Sequence, residues 1–301
     1  MENPHEIIVV LGPTAIGKTK LAIELAQYWH CNIISADSRQ FYKEMSIGTA
    51  VPNDQELRDA PHFLIQHKSI HDDYTVGDFE REALSLIEKF SKKHQRTVVV
   101  GGSGLYINAL LYGLDDFPAV PKIIRAQLNQ ELIKHGIGPL QDELKRVDPN
   151  YFEQVDLMNP QRVIRALEIY RSSGIPFSHL RKASTKPRPF KTTLIGITAL
   201  REDIYERINE RVDQMINLGL EKEAEALVPY KHFNALQTVG YKELFDYFDN
   251  KVSLEEAIAL IKQNTRRFSK RQMTWFKKNH EIKWFKRESQ TQEIIDFIES
   301  K

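Results

Sequence analysis

A chain of 301 residues, 41% apolar and 28% charged with a formal net charge of +1, has the composition of a soluble globular protein with ample core for one large or two modest domains. It contains no run of 18 apolar residues, which excludes a single-helix membrane span, and MENPHE enters a strand at once, unlike a signal or transit peptide, so a cytoplasmic location is expected. The lone cysteine, Cys31, excludes an internal disulfide and a cysteine-based zinc site and suits a small buried residue in a reducing compartment, and the ten histidines hold no HExxH motif, so zinc is not expected.

The first element is the apolar strand Ile7 to Leu11. It runs into a loop of Gly12, Pro13, Thr14, Ala15, Ile16, Gly17, Lys18 and Thr19, which is G-x-x-x-x-G-K-T, the phosphate-binding P-loop. Glycine at these offsets lets backbone N–H groups turn inward around an anion. Lys18 adds a point charge, and the Thr19 hydroxyl suits a Mg²⁺ bridging two phosphates. A helix from about Lys18 to Trp29 points its positive end at the same anion. The loop does not say whose phosphates it holds.

Residues 32 to 35 form a second short strand ending at Ala36-Asp37-Ser38. Residues 76 to 93 have the apolar spacing of an amphipathic helix, with Phe79, Ala83, Leu86, Ile87 and Phe90 at three- and four-residue steps. A buried strand, 97 to 100, runs into Gly101-Gly102-Ser103-Gly104 and a helix through Ile107 to Leu111. Such alternation predicts a parallel sheet with helices on both faces. From Pro121 to about Leu180 no strand is expected, and helical runs are broken by Pro139, Pro149, Pro160 and Pro176. Residues 182 to 190 read as a connector, and a strand returns at 192 to 198. Helices are expected at about 203 to 218, 219 to 228, 240 to 249 and 253 to 279. The expected fold is therefore α/β, a P-loop NTPase-like parallel sheet flanked by helices and built from 1–118 and 191–301, with an all-helical insertion domain at 119–190.

Charge is unevenly placed. Residues 119 to 190 carry 12 Lys/Arg against 7 Asp/Glu, and residues 262 to 287 carry ten against one, Glu281, interleaved with Trp275, Phe276, Trp284 and Phe285. That mixture suits either a nucleic-acid surface or a solvated helix face. An ordinary ATPase would end the third strand in a metal-supporting acid. Here that strand ends in Gly-Gly-Ser-Gly, and the carboxylate at a strand tip is Asp37. Strand carboxyl ends meet along one edge of a parallel sheet, so Asp37 and Thr19 should face one crevice, with Asp37 as metal ligand, base or helix cap. Arg207 and Arg211, four apart, share a helix face. Either could complete a clamp on a diphosphate, and spacing alone does not select one.

Seven segments occur together and in order: GPTAIGKT, ISADSRQFYKEMSIGTAVP (34 to 52), VVVGGSGLYINALLYGL (98 to 114), NPQRVIRALEIYRSSG (159 to 174), RxxxYxRIxxRV (201 to 212), TVGYKE (238 to 243) and KRQMTWFKK (270 to 278). Across nearly the whole chain they resemble the bacterial tRNA dimethylallyltransferase (tRNA isopentenyl transferase) family. The resemblance implies transfer of a dimethylallyl group from dimethylallyl diphosphate to the exocyclic amine of the adenosine 3′-adjacent to the tRNA anticodon. The product is N6-dimethylallyladenosine in tRNAs reading codons that begin with U. The P-loop then holds the prenyl donor's diphosphate with Mg²⁺ on Thr19, Asp37 is the base, and Arg211 contacts the diphosphate. Lys18, Thr19, Asp37 and Arg211 form the implied catalytic set. The implied tRNA contacts are Asp37, Ser38, Arg39 and Gln40; Gly101 and Ser103; Arg125; Gln161, Arg162, Val163, Ile164 and Arg165; and Gln237, Thr238, Val239, Gly240, Tyr241 and Lys242. The insertion would grip the anticodon stem-loop. Two departures, MNPQR for the usual NDPQR and Ser103 for threonine after two glycines, leave the assignment intact. A monomer is expected, since a tRNA-sized acceptor needs an open face.

Three rivals share parts of this reading. A P-loop small-molecule or nucleoside kinase keeps Asp37 as base but leaves the basic segments without a role. An enzyme prenylating free AMP or ADP keeps the core, but basic segments argue for a polymeric acceptor. A non-catalytic RNA-binding module makes Asp37 and the complete P-loop superfluous. In the insertion, Arg162 or Arg165 has an alternative in capping a helix or pairing with Glu168.

Overall fold

The structure is a computed structural model that describes residues 4–182 and 185–301. Residues 1–3 of the N-terminal segment and 183–184 of the expected connector lie outside the described residues. The chain divides into two compact units, residues up to Leu111 together with Arg188–Lys301, and Tyr112–Pro187. The divisions fall before the expected 118/119 and 190/191. The two segments that open and close the smaller unit run side by side, Lys186 N–H donating to the Tyr112 carbonyl at 2.8 Å, so both belong to it.

The larger unit begins with β1 (Glu6–Leu11), α1 (Lys18–Tyr28), β2 (Ile33–Ser35), α2 (Asp54–Asp59), β3 (His62–Phe63), α3 (Val76–Ser91), β4 (Arg96–Gly101) and α4 (Gly104–Tyr112). The smaller holds α5 (Lys122–His135), α6 (Gly138–Val147), α7 (Pro149–Phe152), α8 (Pro160–Ser173) and α9 (Phe177–Leu180). The larger resumes with β5 (Lys191–Thr198), α10 (Arg201–Asn217), α11 (Leu220–Ala226), α12 (Tyr241–Phe248), α13 (Leu254–Phe276), β6 (Lys283–Lys286) and α14 (Thr291–Glu299).

All strand pairings are parallel, in the order β3-β2-β4-β1-β5-β6. Val9 sits opposite Val99 on one side and Leu194 on the other. Strands buried on both faces need continuous apolar runs, and Ile7 to Leu11 are all buried. Ile8, Val10, Val98, Val100, Ile195 and Ile197 pack with Leu21 and Leu25 of α1 and Ile294, Ile295 and Ile298 of α14. The chain leaves β1 for β2 and later returns to β5 on its other flank. The winding thus reverses around β1, and a crevice opens at the carboxyl ends there. A second apolar cluster joins Phe41, Tyr42 and Met45, after β2, to Val212, Leu220, Tyr241, Leu244 and Ile261 of α10 to α13. Glu223 of α11 seals this join. Its carboxylate accepts the N–H groups of Ser46, Ile47 and Gly48 at 2.8–3.0 Å and the Tyr241 hydroxyl at 2.7 Å.

The C-terminal basic-aromatic run differs from a nucleic-acid face. Residues 283–286 are the edge strand β6, with Phe285 opposite Ile197 and buried. The Trp284 ring fills the space beside Gly196, where a Cβ would lie 2.6 Å from it. Lys283 and Lys286 flank the edge, where lysines oppose pairing with another chain. Exposed on α13 are Arg267, Lys270 and Arg271 with Phe268 and Trp275, the two aromatics about 40% exposed, followed by exposed Lys277 and Lys278.

Phe285→Ala should therefore destabilise the protein by about 3–5 kcal/mol, as truncation of a buried phenylalanine does. Denaturant unfolding checks this; an unchanged midpoint would return β6 to the surface.

Candidate active site

Glycines shape the P-loop at both ends. Gly12 has φ +149°, and a Cβ there would lie 2.7 Å from the Ile197 carbonyl, so only glycine lets β1 turn beside β5. Gly17 has φ +103° and is the N-cap of α1. Between them Ala15 takes φ +63°, a conformation that L side chains seldom adopt. The loop is held in place from several sides. Lys18 Nζ donates to the Pro13 carbonyl at 2.7 Å, Arg207 Nε donates to the Ala15 carbonyl at 2.9 Å, and Thr14 N–H donates to Gln272 Oε1 at 2.9 Å. Arg207 is thus a brace on the loop.

Arg211, one turn on along α10, has no hydrogen bond or ion pair to any described residue and lines the cleft with Lys18, Thr19 and Asp37. Burial, reinforced by the Arg211 charge and opposed by Asp37, pulls the Lys18 ammonium down to about 7. Burial lowers Arg211 too, against the pull of Asp37 and Glu56. Two desolvated cations therefore face one pocket with too little negative charge to neutralise them, which is how a protein prepares a site for an anion.

Asp37 follows β2 at the same edge. Its Oδ1 accepts Arg39 N–H at 2.9 Å and Gln40 N–H at 3.4 Å, a turn that fixes the carboxylate and leaves Oδ2 without a partner among the described residues. Ser38 N–H donates to Ser103 Oγ at 2.9 Å. Gly101 is required at this join, because a Cβ would meet the Ala36 carbonyl at 2.3 Å. The cleft that holds these groups has a volume of about 1330 Å³, larger than the roughly 300–1,000 Å³ of a small-molecule site, so it has room for an acceptor beside a diphosphate. Thr19 lines it, and among the described residues no three acidic, histidine or cysteine side chains form a metal cluster.

Several residues expected to touch RNA have other duties. The Gln40 amide accepts from Ser35 Oγ at 3.0 Å and donates to the Thr49 and Ala50 carbonyls at 3.2 and 2.9 Å, bracing a wall of the cleft. Tyr241 is fully buried and bound to Glu223, so it is no contact surface. Arg39 donates to the Asn234 carbonyl at 3.0 Å, and Gln237 to the Lys231 carbonyl at 2.6 Å. Thr238, Val239, Gly240 and Lys242 line the cleft, with Gly240 held by the Glu243 carboxylate at 2.8 Å. The braces Arg207, Gln40, Glu223 and Gln272 had no local sequence signal beyond membership of ordered motifs or, for Glu223, an ordinary charged helix.

Within the smaller unit, Val163 and Ile164 of α8 are fully buried with Leu128, Leu140, Leu144 and Leu167. They are core, not RNA contacts, because they occupy the apolar stripe of an amphipathic helix. Buried Glu168 draws in two expected contacts, Arg165 at 2.5 Å and Arg125 at 3.2 Å, and Arg125 also donates to Gln161 Oε1 at 3.0 Å. Arg171 likewise ties Glu131 of α5 to Glu143 of α6. Arg162 is exposed, and its side chain makes no hydrogen bond or ion pair to a described residue.

A parallel sheet wound about a P-loop, with a strand-tip carboxylate and no acid at the end of β4, defines an enzyme of the P-loop fold whose cleft suits a phosphate-bearing anion. The chain matches the IPP transferase family over residues 40–279. It is 55% identical to the tRNA dimethylallyltransferase of Christiangramia forsetii, covering 98% of both chains, and 51% identical to that of Flavobacterium johnsoniae, covering 97% of this chain and 96% of the relative. Among solved structures it is similar to the tRNA isopentenylpyrophosphate transferase of Bacillus halodurans, 36% identical with a TM-score of 0.72, over 98% of this chain and 96% of that one. It is also similar to a eukaryotic dimethylallyltransferase captured acting on tRNA, with a TM-score of 0.81 at 26% identity, over 99% of this chain and 80% of that one. The chain belongs to the IPP transferase family, that of the tRNA dimethylallyltransferases.

With its pKa pulled down to about 7, Lys18 should be largely neutral at pH 8 in the free protein and should recharge when a diphosphate enters. Calorimetry in buffers of different ionisation enthalpy should show wild type taking up about one proton more than Lys18→Met on binding inorganic diphosphate at pH 8. Equal uptake would mean that Lys18 is already charged in the free site.

In the smaller unit, Arg162→Ala should leave the melting temperature alone and reduce the slope of log tRNA affinity against log salt by roughly 0.7–0.9, one phosphate contact. Arg165→Ala should lower the melting temperature, because it strips a partner from buried Glu168. The opposite pattern would exchange the two roles.

Proposed function

We propose that this chain moves a dimethylallyl group from dimethylallyl diphosphate to the exocyclic amine of the adenosine 3′-adjacent to a tRNA anticodon. The observation that carries the reading is the pair of desolvated cations, Lys18 and Arg211, facing the partner-free oxygen of Asp37 across one cleft. The bond from the allylic carbon to the diphosphate oxygen breaks, and a bond from that carbon to the adenine nitrogen forms. Diphosphate leaves with the electron pair, and the nitrogen gives up a proton.

Charge grows on the departing oxygens, where the loop amides and the buried Lys18 and Arg211 would meet it. The adenine amine is a weak nucleophile, its lone pair being delocalised into the ring. Asp37, held by its turn, orients the amine through Oδ2 and takes the proton, a contribution of about 10² to 10⁴ in rate. Arg207 supports the step from behind the loop. A Mg²⁺ would be held by the Thr19 hydroxyl together with diphosphate oxygens, and would neutralise leaving-group charge.

An adenine must leave the anticodon-loop stack to enter a cleft of this kind. Phe268 and Arg271 of α13 line the cleft, the Trp275 indole lies against Gly104, and Arg162 of the smaller unit is free to meet a phosphate. The protein is proposed to act as a single chain in the cytoplasm. Among the described residues, no helix is long and apolar enough to cross a membrane.

Incubation with labelled dimethylallyl diphosphate, tRNA and Mg²⁺ should place the label on that adenosine, with no phosphoryl transfer from ATP. Unlabelled tRNA, or turnover of ATP, would overturn the assignment. Asp37→Asn should lower kcat at least about 100-fold and leave inorganic diphosphate affinity equal or higher, since a negative charge beside the cations is removed. Near-normal turnover would remove Asp37 as base.

A further inference from the structure

The KRQMTWFKK segment places Arg271 and Trp275 outward and Gln272 inward, 7% exposed, near the end of α13. Gln272 lines the cleft and meets both loops that frame it. Its Oε1 accepts Thr14 N–H at 2.9 Å, and its Nε2 donates to the Gly102 carbonyl at 2.9 Å. Thr14 offers only a donor there and Gly102 only an acceptor, so the amide has one possible orientation. A Cβ on Gly102 would lie 2.3 Å from Nε2, so the absence of a side chain at Gly102 is part of the fit.

The link continues on the far side. The residue after Gly102, Ser103, accepts Ser38 N–H at 2.9 Å, next to Asp37. In the sheet β4 separates β1 from β2, so no strand pairing ties the P-loop directly to the Asp37 turn. Two side chains, Gln272 and Ser103, bridge the loop after β4 to its neighbours on either side.

We propose that Gln272 is a positioning residue for prenyl transfer, acting through Thr14 and Gly102 to hold the diphosphate cradle at a fixed distance from Asp37. The inference rests on the prenyl-transfer reading. Displacement at the allylic carbon needs leaving group, carbon, amine and base in register, and a misplacement of about 1 Å costs on the order of 100-fold in rate. Among residues of this size, glutamine supplies one donor and one acceptor at the required reach. Glutamate at neutral pH offers two acceptors and faces the Gly102 carbonyl with like charge. Methionine fills similar volume and offers neither bond.

Gln272→Met and Gln272→Glu test this by steady-state prenylation of tRNA, with inorganic diphosphate affinity measured alongside. Both should lower kcat about 10- to 100-fold while diphosphate Kd stays within about threefold, because Lys18, Thr19 and Arg211 remain. Wild-type kcat in Gln272→Met would show that the side chain only fills space and would overturn the proposal. A loss confined to diphosphate affinity would overturn it too. If Gln272→Met does not fold, Gln272→Glu, which keeps the volume and the Thr14 bond, decides by the same criteria. Wild-type protein that fails to prenylate tRNA defeats the functional reading; active wild type with unaffected variants defeats this inference alone.

Discussion

Lys18 and Arg211 are withdrawn from water in a pocket where Asp37 and Glu56 supply opposing charge, and most of the larger unit serves that arrangement. Burying a cation without a matched partner works against folding, so the surroundings must hold it there. The sheet does so by following β1 with Gly12, where only glycine fits beside the Ile197 carbonyl. The helices do so through Arg207 and Gln272, which grip the loop backbone at Ala15 and Thr14. A diphosphate supplies the missing negative charge, and electrostatic complementarity of this kind is strongest for the charge that develops as the donor bond breaks.

Besides Arg207, the braces around the cleft are side-chain amides and carboxylates bound to backbone. Gln40 holds Thr49 and Ala50, Glu223 holds Ser46 to Gly48, Glu243 holds Gly240, and Gln272 holds Thr14 and Gly102. Irregular backbone that lines a cleft has no strand or helix partner to satisfy its polar groups, and these side chains take that place. The same logic explains why motif residues expected to read RNA turned out to support the wall that RNA would meet.

The P-loop was legible in the sequence because backbone turning about an anion demands glycine at fixed offsets, and Asp37 because a carboxylate at a strand tip breaks an apolar pattern. The choice of Arg211 over Arg207 was not legible from spacing, since both lie on one helix face. It came from resemblance, and the structure adds a reason in the carbonyl that Arg207 holds. Strand β6 was hidden because edge lysines around two aromatics imitate a nucleic-acid surface. Strand β3, two residues long, carries no periodicity to read. Val163, Ile164 and Tyr241 were misplaced because a motif records which residues occur together, not which of them face inward. Helix α14 followed the hidden strand and was missed with it, although Ile294, Ile295 and Ile298 mark its buried face.

The most direct test of the account is thermal unfolding of wild type, Lys18→Met and Arg211→Met at pH 7, with and without inorganic diphosphate. The native Lys18 pKa, about 7, lies below its unfolded value, so its charged form opposes folding at and below that pH, and the opposition fades as pH rises toward 10.5. Removing either cation should leave the free protein at least as stable as wild type, while the wild type alone gains a large diphosphate-dependent rise in melting temperature. Free variants that melt well below wild type and still gain the full rise with diphosphate would contradict the claim that these two charges are held for the anion.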